Sequence, residues 1–161
     1  MENKYCSIVK SPIGDVIIIA DETAVNEITF HQKETDGLTE NAISRLAAQE
    51  LKQYFEGTIK EFSLPLSQSG TEFQQEVWQN LLKIPYAETT SYAKFSAHKP
   101  LAIRAIAAAN GKNNLAVVVP CHRVIGSDGR FVGYAGELWR KKWLIQHESE
   151  VAQKGQTELK F

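Results

Sequence analysis

The chain has 161 residues, 43% of them hydrophobic and 23% charged, which is enough apolar material to bury a core in one compact unit or two small domains sharing an interface. No apolar run approaches the roughly 20 residues needed to span a bilayer, and the N-terminus lacks a basic-then-apolar leader, so the expectation is a cytoplasmic protein (nuclear in a cell with a nucleus) without a membrane partner. The net charge of −1 hides an asymmetry: residues 1–70 hold 6 Lys/Arg against 11 Asp/Glu, whereas residues 71–147 hold 10 against 5, so an anionic partner would meet the second half.

In chain order, Ser11-Pro12-Ile13-Gly14-Asp15 reads as a turn between strands at 5–9 and 16–20, and 25–30 is a third strand candidate. Apolar residues then recur at helical spacing over 39–55 (Ile43, Leu46, Ala47, Leu51, Tyr54, Phe55), with Gly57 as the stop signal. A further strand is expected at 59–64, before a linker over 65–70. Residues 1–68 are therefore expected to form a small α+β domain with an antiparallel sheet. It carries no recognisable chemistry: Cys6 and His31 stand without the CxxC or HxxxH spacing of a zinc site, and no metal is expected. Cys6 and Cys121 are read as free thiols, as cytosolic cysteines normally are.

The second half, 69–150, reads as mostly helical. Thr71 is the expected N-cap of a helix over 73–82, with adjacent i,i+4 rows at Phe73, Val77, Leu81 and at Trp78, Leu82. Ile84-Pro85-Tyr86 ends it. A short helix over 91–97, a turn through His98-Lys99 and a helix opened by Pro100 over 101–109 give the outline of a helix-turn-helix, closed by Asn110-Gly111. The 101–109 segment holds five alanines and one charged residue, Arg104. Small side chains allow close approach to a DNA groove, with Arg104 projecting from that face; the alternative is a helix buried within the domain, with Arg104 snorkelling to solvent.

The chain is organised around Val117-Val118-Val119-Pro120-Cys121-His122-Arg123-Val124. The β-branched run predicts an extended, buried approach, stiffened at Pro120. Imidazole and guanidinium beside the sulfur would lower the thiol pKa, and a neighbouring histidine serves as base to a thiolate nucleophile. Adjacent side chains on an extended segment point to opposite faces, which suggests that His122 acts through a water. Beyond the turn signal at 126–129, the glycine-punctuated stretch 131–136 presents Tyr134 as lining for a flat pocket. A helix over 137–148 places a carboxylate, Glu148, where it could reach back to His122. The tail over 149–161 is polar and expected to be loosely ordered.

Pro120-Cys121-His122-Arg123-Val124, preceded by Asn110-Gly111-Lys112-Asn113 and followed by Gly133-Tyr134-Ala135-Gly136, closely resembles the O6-alkylguanine-DNA alkyltransferases, also called methylated-DNA–protein-cysteine methyltransferases. The similarity runs from about Gly70-Thr71-Glu72-Phe73 to Gln146-His147-Glu148, and more loosely through Ser11-Pro12-Ile13-Gly14. The resemblance implies an RNase H-like N-terminal domain with an antiparallel sheet and a winged-helix-like C-terminal domain carrying the site. It implies that Cys121 takes an alkyl group irreversibly from O6 of guanine (or O4 of thymine) in double-stranded DNA, without a cofactor, as a monomer bound in the minor groove. It assigns His122 as base through a water, Glu148 as its orienting group, Asn113 as support for the Cys121 region, and Tyr92 as the residue that helps rotate the nucleotide and protonate the leaving guanine. Arg104 would fill the gap left by the flipped base, with Ala105 and Arg123 also at the DNA, and Tyr134, Val124, Gly133 and Ala135 would line the alkyl pocket. The segment between Tyr92 and Arg104 is slightly shorter than the usual pattern, and Asn114 replaces the usual proline after Asn113.

Extrusion of the nucleotide makes physical sense here, because an atom on a stacked base cannot reach a buried thiol. Two other readings fit parts of the pattern. A non-enzymatic lesion-recognition protein would have another residue at the Cys121 position. A cysteine hydrolase generally brings its histidine from a distant part of the chain.

Overall fold

The computed structural model describes residues 3–126 and 138–158. The chain divides into two units, one of residues 1–69 with 114–118 and the other of residues 70–113 with 119–161.

The first unit is a three-stranded antiparallel meander, β1 (Tyr5–Ser11), β2 (Gly14–Ala20) and β3 (Val25–Thr29), in that order. Pairing runs from Tyr5↔Ala20 to Ser11↔Gly14, so Pro12 and Ile13 alone make the turn, and the Ser11 hydroxyl accepts from Ile13 N and donates to Gly14 O. Helix α1 (Ala42–Glu56) covers the sheet with Ala47, Leu51 and Tyr54, all buried. Its start is fixed by a capping box between Asn41 and Ser44. Its end is fixed by Gly57 at φ 81°, with the Gly57 and Thr58 amides turned back on Gln53 and Tyr54.

The strand expected over 59–64 does not form. Buried Glu50 on α1 accepts the Ser63 amide at 2.8 Å and its hydroxyl as well, so a side chain takes a backbone donor that a ladder there would use. The chain meets the sheet one step later: Val25 N donates to Pro65 O and Ser67 N to Val25 O. Residues 114–116 return to the same edge, where Ile28 N donates to Asn114 O (2.8 Å) and Ala116 N to Ile28 O (3.2 Å). Two short parallel bridges thus cover the free edge of β3, the kind of edge that otherwise invites foreign pairing.

The second unit contains α2 (Glu72–Leu81), α3 (Tyr92–Phe95), a 3-10 turn (Pro100–Ala102), α4 (Ile103–Gly111), a second 3-10 turn (Cys121–Arg123) and α5 (Leu138–Glu158), with the short parallel pair β4 (Thr90–Ser91) and β5 (Val124–Ile125). Thr71 and Gln74 cap α2 reciprocally, as the spacing predicts. Trp78 anchors α2 to α4 by donating its indole N–H to Ala109 O at 2.9 Å. The helix expected over 101–109 starts as 3-10 and turns α-helical only at Ile103, so Asn110 and Gly111 lie inside its last turn instead of ending it. The final helix was expected to stop at 148; α5 continues to Glu158, through most of the segment read as a loose polar tail. Among the described residues no helix is long and apolar enough to cross a membrane.

Candidate active site

The approach to Cys121 is buried but not extended. Val118 N donates to Ala116 O across Val117, whose φ is 71°, and Cys121 N donates to Val119 O across Pro120 at φ −81°, ψ 63°. These are consecutive γ-turns, the first of the rare left-handed kind that a β-branched residue adopts only under tertiary constraint. Valine propensity for strands is overridden, since residues 114–116 are already committed to the edge of β3. Cys121 and His122 then lie on one 3-10 turn, so the opposite-face argument of an extended chain does not apply.

Helix α5 supplies the other wall. Lys141, Leu144 and Glu148 form its fully buried stripe at i, i+3, i+7. Among the described residues Glu148 accepts hydrogen bonds from His122 Nε2 at 2.7 Å, Arg123 Nε at 2.9 Å, Arg123 Nη2 at 3.0 Å and the Ala87 amide at 3.2 Å. Burial penalises its negative charge, yet the hydrogen bonds from His122 and Arg123 and the Arg123 charge outweigh that, holding the carboxyl well below the usual carboxylate range. Arg123 Nη1 also donates to Ile84 O at 2.7 Å, and the guanidinium lies 5.6 Å from the Tyr86 ring. Buried and spent on Glu148, Arg123 braces the carboxylate, and the expectation that it touches DNA is corrected.

Burial lowers the His122 pKa against the pull of Glu148, so the imidazole is neutral at physiological pH. With Nε2–H donated to Glu148, Nδ1 carries the lone pair, and this buried atom has no hydrogen-bond partner among the described residues. Cys121 is 7% exposed, and burial pushes its thiol upward despite the side-chain hydrogen bond of Asn113 and the Lys141 charge. The expected lowering by His122 and Arg123 is therefore absent: one is neutral and the other is neutralised by Glu148. A thiol held protonated beside a free basic nitrogen needs proton transfer before it can attack.

Asn113 donates to Val119 O at 2.9 Å, fixing the carbonyl that also receives Cys121 N. Tyr92, the first residue of α3, is buried, and its hydroxyl accepts from Asn110 Nδ2 at 2.6 Å. Val124 is buried on β5, paired with Thr90. By contrast, Leu101 on the preceding 3-10 turn and Arg104, Ala105 and Ala108 on α4 face solvent. Tyr134, Gly133 and Ala135 lie outside the described residues. Sequence reasoning missed Lys141, whose ammonium donates to Val124 O at 2.6 Å and whose pKa burial lowers to about 8. A charged residue on the same helical stripe as Leu144 and Glu148 was the available signal.

A buried cysteine backed by a carboxylate-held neutral histidine, on a unit that presents a helix-turn-helix, defines a cysteine-nucleophile protein of the DNA-binding class. Residues 4–68 match the ribonuclease-like domain of 6-O-methylguanine DNA methyltransferase, and residues 72–150 match that family's DNA-binding domain. Similar curated proteins include the methylated-DNA–protein-cysteine methyltransferases of Methanosarcina barkeri (39% identical over 89% of this chain and 96% of the relative) and Mycobacterium leprae (40%, over 89% and 92%). A crystal structure of Mycobacterium tuberculosis OGT in complex with DNA superimposes with a TM-score of 0.82, 36% identity, and coverage of 92% of this chain and 94% of that one. The chain belongs to the methylated-DNA–protein-cysteine methyltransferase family.

Proposed function

We propose that this protein repairs DNA by direct reversal, moving a methyl or larger alkyl group from O6 of guanine to Cys121. The observation that carries the reading is the buried His122, neutral, tied through Nε2 to Glu148 and with Nδ1 free to accept beside Cys121. The thiol proton passes by way of a water to Nδ1. The thiolate attacks the O-alkyl carbon, the S–C bond forms as the C–O bond breaks, and the electron pair leaves on guanine, which takes a proton from Tyr92. The thioether has no hydrolytic exit, so each molecule acts once. Such a site needs no metal or cofactor.

The exposed face of α4 suits the minor groove of double-stranded DNA: Ala105 and Ala108 permit close approach, and exposed Arg104 fills the space of an extruded base in this reading. The protein acts as a monomer in the cytoplasm. Asn113 and Val124 support the thiol, and Tyr134, Gly133 and Ala135 complete the alkyl pocket.

Intact mass after incubation with a duplex containing one O6-methylguanine tests this. One methyl per protein is expected, absent from Cys121→Ser. Tight binding to the lesion duplex with no mass change would replace the enzyme reading with damage recognition. Arg104→Ala should slow transfer from duplex while leaving transfer from free O6-benzylguanine intact; equal rates on duplex would refute the intercalating role.

A further inference from the structure

Tyr92 and Asn110 form a buried pair whose polarity is unusual. The Asn110 amide donates Nδ2–H to the phenol oxygen at 2.6 Å, and Asn110 is 1% exposed. Among the described residues the Tyr92 O–H has no acceptor, and Asn110 Oδ1, equally buried, has no partner. Buried side-chain amides normally satisfy both ends, and one left half-satisfied in a native core calls for an explanation. The placement is rigid: Asn110 sits in the last turn of α4, next to Ala109, whose carbonyl the Trp78 indole grips. From sequence Asn110 reads as part of a helix stop and of the Asn110-Gly111-Lys112-Asn113 stretch of the family pattern, with no role of its own.

Resting on the function proposed above, we propose that Asn110 is a positioning residue that makes Tyr92 the proton donor to the departing guanine. Occupying one side of the phenol oxygen, the amide N–H turns the phenol hydrogen away from Asn110, where an acceptor on an extruded base would meet it. When the C–O bond breaks and the electron pair settles on guanine, that hydrogen moves to the base. The phenolate left behind keeps its hydrogen bond from Nδ2 until it recovers the proton that Cys121 gave up to His122. Burial holds the phenol protonated and the Asn110 hydrogen bond favours its ionised form, both in the sense this role needs.

Asn110→Asp tests it, being isosteric but an acceptor when ionised, so that the Tyr92 hydrogen is drawn to the new carboxylate. Single-turnover transfer from an O6-methylguanine duplex is compared with methylation of Cys121 by methyl iodide, whose leaving group needs no proton. The expected result is transfer about 10–100-fold slower at pH 8, part of a general-acid contribution of about 10²–10⁴-fold because the phenol itself is retained, recovering towards acid pH as the carboxyl protonates, with methyl iodide rates unchanged. In a Tyr92→Phe background, Asn110→Asp should cost nothing further. Wild-type transfer by Asn110→Asp across pH, equal losses in both reactions, or undiminished losses in the Tyr92→Phe background would each overturn the inference. A wild-type protein methylated by methyl iodide but not by the lesion would instead overturn the repair function itself, and this inference with it.

Discussion

Glu148→Gln is the most informative single change. Among the described residues, Oε2 of the carboxylate receives His122 Nε2 and Arg123 Nη2, and Oε1 receives Arg123 Nε and Ala87 N. A carboxamide of the same shape keeps one acceptor and turns an NH2 towards the other pair, so two donors face a donor whichever way it sits. The Arg123 guanidinium is also left buried without its counter-charge. Removing one partner of a buried ion pair costs about 3–5 kcal/mol, equivalent to a melting shift of about 6–20 °C for a chain of this size. Catalysis should suffer separately. Without a carboxylate demanding Nε2–H, His122 can hold its proton on Nδ1, and the base is lost, at about 10²–10⁴-fold in rate. Urea or thermal denaturation reads the first effect, and single-turnover transfer from an O6-methylguanine duplex at a temperature where the variant is folded reads the second. A Glu148→Gln protein that melts within 2 °C of wild type and transfers at a similar rate would refute both the buried-pair and the tautomer reasoning.

Acidification should destabilise the fold in two stages. Glu148, depressed when folded, contributes stability that is whole above its unfolded value of about 4.3 and fades below it, while His122, kept neutral by burial, loses ground below about 6.5 because the unfolded chain takes up a proton the folded one refuses. Melting temperature should therefore decline below about pH 6.5 and more steeply below about pH 5; a flat profile to pH 4 would contradict this. Gly70→Ala should destabilise by about 1–3 kcal/mol in chemical denaturation, since a Cβ there would lie 2.4 Å from Trp78 Cη2 on an indole that is itself pinned to Ala109; an unchanged midpoint would show that the ring yields. Lys141→Met removes a charge that favours the thiolate, so the pH profile of Cys121 methylation by methyl iodide should move upward; an unmoved profile would detach Lys141 from the thiol.

Much of the site was legible because its signals are local. Thr71 capping, the rows at Phe73, Val77 and Leu81, and the Pro120-Cys121-His122 succession depend on near neighbours. The failures at the site have long-range causes. Val117 takes a left-handed φ because residues 114–116 bridge to Ile28, nearly ninety positions earlier, and no propensity scale sees that bond. Residues 59–64 read as a strand, but Glu50 takes the Ser63 amide. Arg123 looked like an activator of the sulfur because it is adjacent in sequence, whereas Glu148 claims it from 25 residues away. Asn110 stood in the family pattern, but nothing local showed that it meets Tyr92, since an asparagine before a glycine is ordinarily just a helix terminator.

The covering of β3 by residues 114–116 also constrains the order in which the protein can be built. The first unit is not finished at residue 69: its sheet keeps an open edge at Ile28 until the chain has been made through Ala116. During synthesis the meander must wait, partly unpaired, while α2, α3 and α4 emerge, and the segment that closes it is the one that leads directly into Cys121. Expression of residues 1–69 alone should yield a sheet with a bare edge, prone to self-association. The two halves are consequently poor candidates for independent exchange or recombination, because residues 114–118, the last piece of the first unit, interrupt the sequence of the second.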